Sequence, residues 1–230
     1  MVSGAGGTPA PLSYEDAVAA DSPQHWWKMD ETSGSTLVDS GSGGADASVV
    51  FGSLIFGQAA IGSAAGTSID INSSRSRAST AIPGGDVTFE ALIYPTSSTG
   101  NKHLFGSPAW SSNQVFMRSG NGDLNYRAEY KGATYTTSLG TLSLNTPYHV
   151  AFTFEVPGVG NPQIRAFLNG VETASTTTNP GDMGTISSWD IGNFDDNGRP
   201  FQGLMQHHAI YSSRLSDATI LAHAQAAGLA

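Results

Sequence analysis

The sequence predicts an all-β protein, an antiparallel sandwich or barrel. Three observations carry this expectation. First, several stretches alternate with period two. Val87, Phe89, Ala91 and Ile93 interleave with Thr88 and Glu90; Leu124, Tyr126, Ala128 and Tyr130 with Asn125, Arg127 and Glu129; Tyr148, Val150, Phe152 and Phe154 with His149, Ala151, Thr153 and Glu155. That period turns one set towards a core and the other away from it. Second, turn residues punctuate these runs at about the 8–12-residue spacing of sandwiches and barrels. Third, charged residues are only 13% of the chain, against roughly 25% in an average domain. The 28 glycines and 11 prolines suit short strands joined by tight turns.

The elements follow in order. Met1 to Pro11 has neither the basic nor the apolar region of a secretory signal. Residues 1–12 read as a flexible arm and 13–230 as one folded domain. Ser13 caps a short first helix, with Asp16 three residues on as in a capping box. Asp21-Ser22-Pro23 ends that helix. The uncharged stretch from Ala47 to Ile69 is broken by glycines too often to span a membrane and reads as two short strands. Leu168-Asn169-Gly170-Val171 is the clearest hairpin, because Asn-Gly suits a type I′ turn. Ser119-Gly120-Asn121-Gly122 and Lys131-Gly132 mark further reversals. A last helix starts at Ser216 or Asp217, buries Ile220, Leu221 and Ala224, and stops at Gly228. Both helices are expected on the ends of the sandwich.

Ten basic against nineteen acidic residues leave a net charge of −9. Nucleic acid and anionic membranes are poor partners for such a chain, because both require clustered Lys and Arg. With no cysteine, disulfides, thiolate catalysis and cysteine zinc sites are excluded. A soluble chain is expected, made in a cytoplasm or cut from a longer polypeptide.

Six blocks carry a resemblance. They are His25-Trp26-Trp27-Lys28-Met29-Asp30-Glu31-Thr32-Ser33-Gly34, the Asp39-to-Gly44 loop, Phe56-Gly57-Gln58-Ala59, Thr88 to Pro95, Phe167-Leu168-Asn169-Gly170, and Phe201-Gln202-Gly203 with Ala209-Ile210-Tyr211 and Arg214-Leu215-Ser216. In this order they resemble concanavalin A-like, laminin G-like modules. The resemblance implies a two-sheet antiparallel jelly roll with short N- and C-terminal helices. Two departures stand out. Gln206 and His207 replace an Asp-Glu pair frequent in the last strand, and Leu92 replaces a Trp.

The same superfamily includes glucanases, which share a Glu-x-Asp-x-x-Glu strand. Glycoside cleavage needs two carboxyl groups on one cleft face. No such spacing occurs here; Glu90 and Glu129 stand singly on strands and read as exposed carboxylates. There is no G-x-S-x-G and no H-E-x-x-H, so a non-enzyme is expected. Gly41-Ser42-Gly43-Gly44 is too irregular for a dinucleotide loop. His207 and His208 point to opposite faces of a strand and cannot chelate one ion; one is expected packed, the other exposed. His25, His103, His149 and His223 have no ligand spacing.

The resemblance implies rim calcium, for which Asp195, Asp196 and Asn197 supply hard oxygens, with an Asx-rich turn as the simpler reading. Asp39 and Asp46 read the same way. Lectin-like binding stacks a sugar on an aromatic ring. Trp110, in a loop with Asn113, and Tyr126 and Tyr130 with Tyr135 on a concave sheet face are the candidates, alongside core packing. Arg199 completes the set as a hydroxyl partner. Trp26 and Trp27 fall on opposite faces of one strand.

The sequence also resembles laminin G-like minor tail proteins of actinobacterial phages. That implies a non-enzymatic virion protein, assembled in the host cytoplasm without secretion. It would adhere to host cell-surface glycan or decorate the particle. Its partners would be other tail proteins, in a homo-oligomer or larger assembly. The alternative is a carbohydrate-binding module of a larger secreted bacterial protein. A glucanase-like hydrolase is the third reading.

Overall fold

The computed structural model describes residues 12–108, 115–120, 122, 124–130, 135–156, 163–177 and 184–230. In chain order the elements are α1 (Tyr14–Ala20), β1 (His25–Trp27), β2 (Thr36–Leu37), β3 (Ala47–Phe51), β4 (Ile55–Gln58), β5 (Ser68–Asp70), β6 (Arg75–Ala78), β7 (Val87–Pro95) and β8 (Lys102–Gly106). They continue with β9 (Val115–Ser119), β10 (Asn125–Tyr130), β11 (Tyr135–Thr141), β12 (Tyr148–Glu155), β13 (Gln163–Leu168), β14 (Val171–Thr177), β15 (Trp189–Ile191), β16 (Gly203–Tyr211) and α2 (Asp217–Ala226).

Among the described residues the period-two runs build two eight-stranded antiparallel sheets. Sheet A runs β14-β13-β12-β7-β16-β5-β4, with β1 also paired to β16. Sheet B runs β11-β10-β9-β8-β15-β6-β3-β2. The rows expected inward do face the space between the sheets: Val87, Phe89, Ala91 and Ile93; Tyr126 and Ala128; Tyr148, Val150, Phe152 and Phe154. Trp27 joins this core, while Trp26 lies on the other side of sheet A, as period two requires. Asn169 and Gly170 have φ of 51° and 81°, the left-handed pair a type I′ hairpin needs.

One imidazole sits in the middle of the core. His208 stacks on Phe105 at 4.0 Å and on Trp27 at 5.4 Å between ring centres. Its Nε2 accepts from Trp189 Nε1–H at 2.9 Å, and its Nδ1–H donates to the Glu90 carbonyl at 2.9 Å. Both nitrogens are satisfied with a single proton, so the ring is neutral. Burial pushes its pKa down to about 4.

Sheet A has a second buried layer on its outer face. The helices do not sit on the ends of the sandwich. They lie across this face, where Tyr14, Val18 and Ile220 pack on Trp26, Leu92, Ala151, Phe167 and Tyr211. The physical reason is apolar surface: Leu92, Ala151 and Phe167 face out of the sheet and need cover. Leu92 therefore occupies a helix-covered site. Both helices are capped as expected, Asp16 N–H donating to Ser13 Oγ at 3.1 Å and Thr219 N–H to Ser216 Oγ at 3.0 Å.

Under the helices lies a charged cluster. Glu90 is not an exposed carboxylate; it is fully buried. Tyr211 donates to its Oε1 at 2.6 Å, and His149 Nε2 lies 3.2 Å from its Oε2. His223 Nδ1 lies 3.1 Å from both carboxylate oxygens, while its Nε2 faces Asp21 Oδ2 at 2.9 Å. Each His223 nitrogen meets a carboxylate, so both carry protons and the ring is an imidazolium. Burial alone would lower its pKa, but Glu90 and Asp21 outweigh it and raise it to about 9. Burial likewise opposes the charge on Glu90, and His223 and His149 overcome it, holding the carboxyl well below its usual range. One network thus links α1, through Asp21, to α2, β7, β12 and β16.

The Gly-rich loop after β2 is organised around Asp39. Its carboxylate accepts from Trp26 N–H, Gly41 N–H and Ala45 N–H at 2.7–2.8 Å and pairs with His25 Nδ1 at 2.7 Å. A side chain on Gly41 would come within 2.5 Å of the Gln24 carbonyl. The loop is a backbone-wrapped carboxylate, as an Asx-rich turn would be. Gln206 likewise accepts from Ile61 N–H at 2.9 Å and donates to the Ala65 carbonyl at 2.8 Å, pinning the loop before β5.

Glu90→Gln keeps the shape but removes the charge that balances His223. Breaking a buried pair on one side costs about 3–5 kcal/mol; urea denaturation should show a loss of that order, and a loss below about 1 kcal/mol would refute the pairing. Stability should also peak near neutral pH. His208 is unprotonated in the fold down to about 4 but takes a proton at an ordinary 6.5 when unfolded, so stability falls as pH drops between those values. The His223 contribution is complete below 6.5 and is lost as pH rises through about 9. Thermal melting across pH 4–10 checks both limbs.

Candidate functional site

The outer face of sheet B differs from that of sheet A: it is polar. Inward Tyr126, Ala128 and Met117 send their neighbours Arg127, Glu129 and Arg118 outward. Asp190 pairs with Arg77 across β15 and β6 in the same way. Arg118 Nε lies 2.8 Å and Arg127 Nε 3.3 Å from the Glu129 carboxylate. Arg77 binds both oxygens of Asp190, Nε at 2.6 Å and Nη2 at 2.8 Å, a bidentate fork.

The loop before β16 folds over this face. Arg75 and Arg77 meet Asp195 Oδ1 at 3.0 and 2.7 Å. Arg199 lies 3.4 Å from Asp196 and places its guanidinium 4.6 Å above the Phe194 ring. Hydrogen bonding from Arg77 holds the Asp195 carboxyl below its usual range, whereas burial lifts that of Asp190 despite the same arginine. Beneath Arg199, His103 is buried against Phe194; burial, then the Arg199 and Arg118 charges, push its pKa down to about 3.

Five of the chain's seven arginines, 75, 77, 118, 127 and 199, therefore gather on one sheet face with four carboxylates. Three of them, Arg77, Arg127 and Arg199, keep side chains 31, 30 and 25% exposed. Guanidiniums fixed by carboxylates are preorganised donors held in fixed orientations. Such a face suits a ligand rich in oxygen acceptors.

The expected site residues scatter. Asp195, Asp196 and Arg199 lie in the loop over this face. Asn197, at φ 58°, closes its turn, with its N–H donating to the Phe194 carbonyl at 2.8 Å. The carboxylates expected to take calcium instead hold guanidinium groups, and Asp196 Oδ1 also accepts from Gly198 N–H at 2.8 Å. Among the described residues no group of three His, Asp or Glu side chains is placed to hold a metal. Tyr126 is corrected: it is fully buried in the core and edge-on to Phe201 at 6.3 Å, so it cannot stack a sugar. Tyr130 lies on β10 and Tyr135 on β11, where their backbones pair with each other. Trp110 and Asn113 lie outside the described residues, in the connection from β8 to β9.

Neither histidine of the β16 pair is exposed. His207 bulges at φ 53° to the helix side, 2.9 Å from Glu15, and His208 turns to the core. Glu129, expected exposed, is 2% accessible beneath its two arginines. The arginine face was visible in outline as the outward set of β10. Arg75 and Arg77 also stand two apart, but no alternating apolar pattern marks β6 as a strand.

The fold and this face define a lectin-like, two-sheet β-sandwich. A family model, Laminin_G_3, described as concanavalin A-like lectin/glucanases superfamily, matches residues 65–221, and the chain belongs to that family. No curated protein matches it by sequence. Among solved structures it is similar to domain 4 of AbnA, a GH43 extracellular arabinanase from Geobacillus stearothermophilus, in complex with arabinotriose: TM-score 0.65, 20% identity, 88% of this chain and 98% of that one. It is also similar to Trypanosoma rangeli sialidase, with TM-score 0.63, 17% identity, 88% of this chain and 32% of that one. The botulinum neurotoxin serotype D ligand-binding domain in complex with N-acetylneuraminic acid gives TM-score 0.64, 16% identity, 91% of this chain and 52% of that one. The chain spans about a third of the sialidase and half of the neurotoxin domain; at these identities the likeness is one of fold.

Arg77→Ala should cost about 1–3 kcal/mol in chemical denaturation, because it removes both hydrogen bonds to the buried Asp190 and leaves it Arg75 at 3.9 Å. Arg127→Gln should cost less than about 1 kcal/mol, since Arg127 is partly exposed and Arg118 still holds Glu129. Equal losses would show that the face is uniformly structural.

Proposed function

We propose that this chain is a non-catalytic binding module whose arginine face on sheet B takes a cell-surface glycan, and that it works on a phage tail particle. The observation that carries the glycan reading is the gathering of five arginines on one face of a chain whose net charge is −9. Partly exposed N–H forks match sugar hydroxyls and sugar carboxylates alike. Solved relatives of the same fold, one with arabinotriose and one with N-acetylneuraminic acid, support the sugar class.

Geometry supports a binding rather than a cutting role. Glu90 lies beneath the helices on the outer side of sheet A, whereas Glu129 faces out of sheet B, so the two cannot flank one glycosidic bond. Each carboxylate of the arginine face is engaged by guanidinium. The tail assignment is supported by the resemblance of the sequence to laminin G-like minor tail proteins and by its cysteine-free, acidic composition. The second reading, a carbohydrate-binding module of a larger secreted bacterial protein, is favoured by the match covering 98% of the arabinanase domain.

A glycan array tests the binding role. Expected are weak binding to a restricted glycan set, at least a tenfold loss in Arg127→Gln and Arg199→Gln, and no change on chelating calcium. A tenfold loss corresponds to about 1.4 kcal/mol. Trp110→Ala should also lower binding; unchanged binding there would remove that loop from the site. Release of reducing sugar would overturn the non-catalytic reading. Peptide mapping of purified phage particles tests the location, and absence of the chain from them rules it out.

A further inference from the structure

The motif Phe201-Gln202-Gly203 is not absorbed by the arginine face. Phe201 is an anchor, fully buried in the core. The other two residues form part of a cleft of about 250 Å³ at one end of sheet A. Its walls are Asp70 at the end of β5 and Asn72 after it, Thr96 and Ser97 after β7, and Gln202 before β16. Gly203 is its floor: at φ 143° a side chain there would come within 2.2 Å of the Tyr94 carbonyl. The strands converge tightly, Thr96 N–H donating to the Gln202 carbonyl at 2.9 Å and Ile71 N–H to the Gly203 carbonyl at 3.1 Å. Asn72 and Ser73, also on the rim, both take left-handed φ values, 45° and 65°, at non-glycine positions. Such backbone costs about 1–3 kcal/mol per residue and concentrates at functional sites.

A buried cation stands behind the cleft. Lys102 is 1% exposed, and its ammonium donates to the Thr99 carbonyl and to Gln202 Oε1, the latter at 3.1 Å. An ammonium only donates, so the Gln202 atom facing it is the oxygen. The amide nitrogen is therefore the atom turned away from Lys102, on a side chain that lines the cleft, and the adjacent charge strengthens it as a donor. Across the cleft, Asp70 offers carboxylate acceptors, one of which already takes Asn72 N–H at 2.8 Å. Thr96 and Ser97 line the same cleft with their hydroxyls, that of Ser97 already accepting from Thr99 N–H at 3.1 Å.

We propose that this cleft is a second binding site, for one neutral sugar ring held through adjacent hydroxyls. A hydroxyl accepts from the Gln202 amide and donates to Asp70, which is what this opposed pair requires. The Asp70 charge disfavours a phosphate or an acidic sugar. A single carboxylate among the walls is too few for a divalent cation, which draws on several oxygen ligands. The volume lies below the roughly 300–1,000 Å³ of sites for drug-sized ligands and suits one small polar molecule. The site is separate from the arginine face, and either can fail without the other.

Titration of the isotope-labelled chain by NMR tests it, with methyl glycosides of glucose, galactose and arabinose as probes and inorganic phosphate and calcium as controls. At least one glycoside should shift the amide signals of Asn72, Thr96 and Ser97 with a Kd in the millimolar range. Asp70→Asn, which keeps the shape, and Gln202→Ala should each weaken that binding at least tenfold. Arg127→Gln should leave it unchanged while lowering binding at the arginine face at least tenfold on the array. The proposal is overturned if no glycoside moves these signals at up to about 100 mM, if both variants bind like the parent, or if phosphate or calcium moves them instead.

Discussion

The constraint that organises this molecule is a carboxylate that had to be neutralised where water cannot reach it. Glu90 sits on the central strand of sheet A, with its side chain on the outer face. An uncompensated charge there would cost several kcal/mol. The chain meets it with His223 from the last helix, His149 from the neighbouring strand and the Tyr211 hydroxyl. Asp21, at the end of the first helix, completes the balance on His223. The two terminal helices are thus required by the sheet they cover. Their apolar faces cover Leu92, Ala151 and Phe167, and the buried network adds a second tie that holds them there.

That requirement divides the labour between the two outer faces. Sheet A gives its outer surface to helices and becomes an interior. Sheet B keeps its outer surface for arginines that reach solvent over buried carboxylates such as Asp190 and Glu129. The same period-two logic produces both; what differs is whether the outward row is covered by chain or by water. The loop before β16 connects the two ends of this arrangement. Its Asp195 and Arg199 complete the arginine face, while Gln202 and Gly203 reach the cleft at the end of sheet A.

Much of the architecture was legible in the residues. Alternation in β7, β10 and β12 placed the inward rows correctly, and Asn169-Gly170 marked its hairpin. Ser13 and Ser216 marked the helix starts. The outward rows were misread because alternation reports two faces and not what covers each. Glu90 and His149 alternate with apolar residues just as a solvent-facing pair would. Only the position of α2, more than a hundred residues away in sequence from Glu90, turns that row into an interior. The binding surfaces were harder still. Asp195 and Asp196 were noticed for their oxygens, but the arginines that occupy them come from β6 and from Arg199. Tyr126 was offered as a sugar-stacking ring alongside core packing, and its alternation with Arg127 pointed it inward. The cleft at Gln202 joins the ends of three strands distant in sequence, and no local pattern marks it.

All six histidines are buried, at 1% exposure or less. Two, His103 and His208, are held uncharged by their surroundings, and a third, His223, is locked as an imidazolium between carboxylates. The native surface therefore offers no free imidazole to an acylating reagent such as diethyl pyrocarbonate. Reaction at any of them requires the strands or helices around it to part. The imidazoles thus form a built-in set of breathing sensors, His208 reporting on the space between the sheets and His223 on the lifting of the terminal helices.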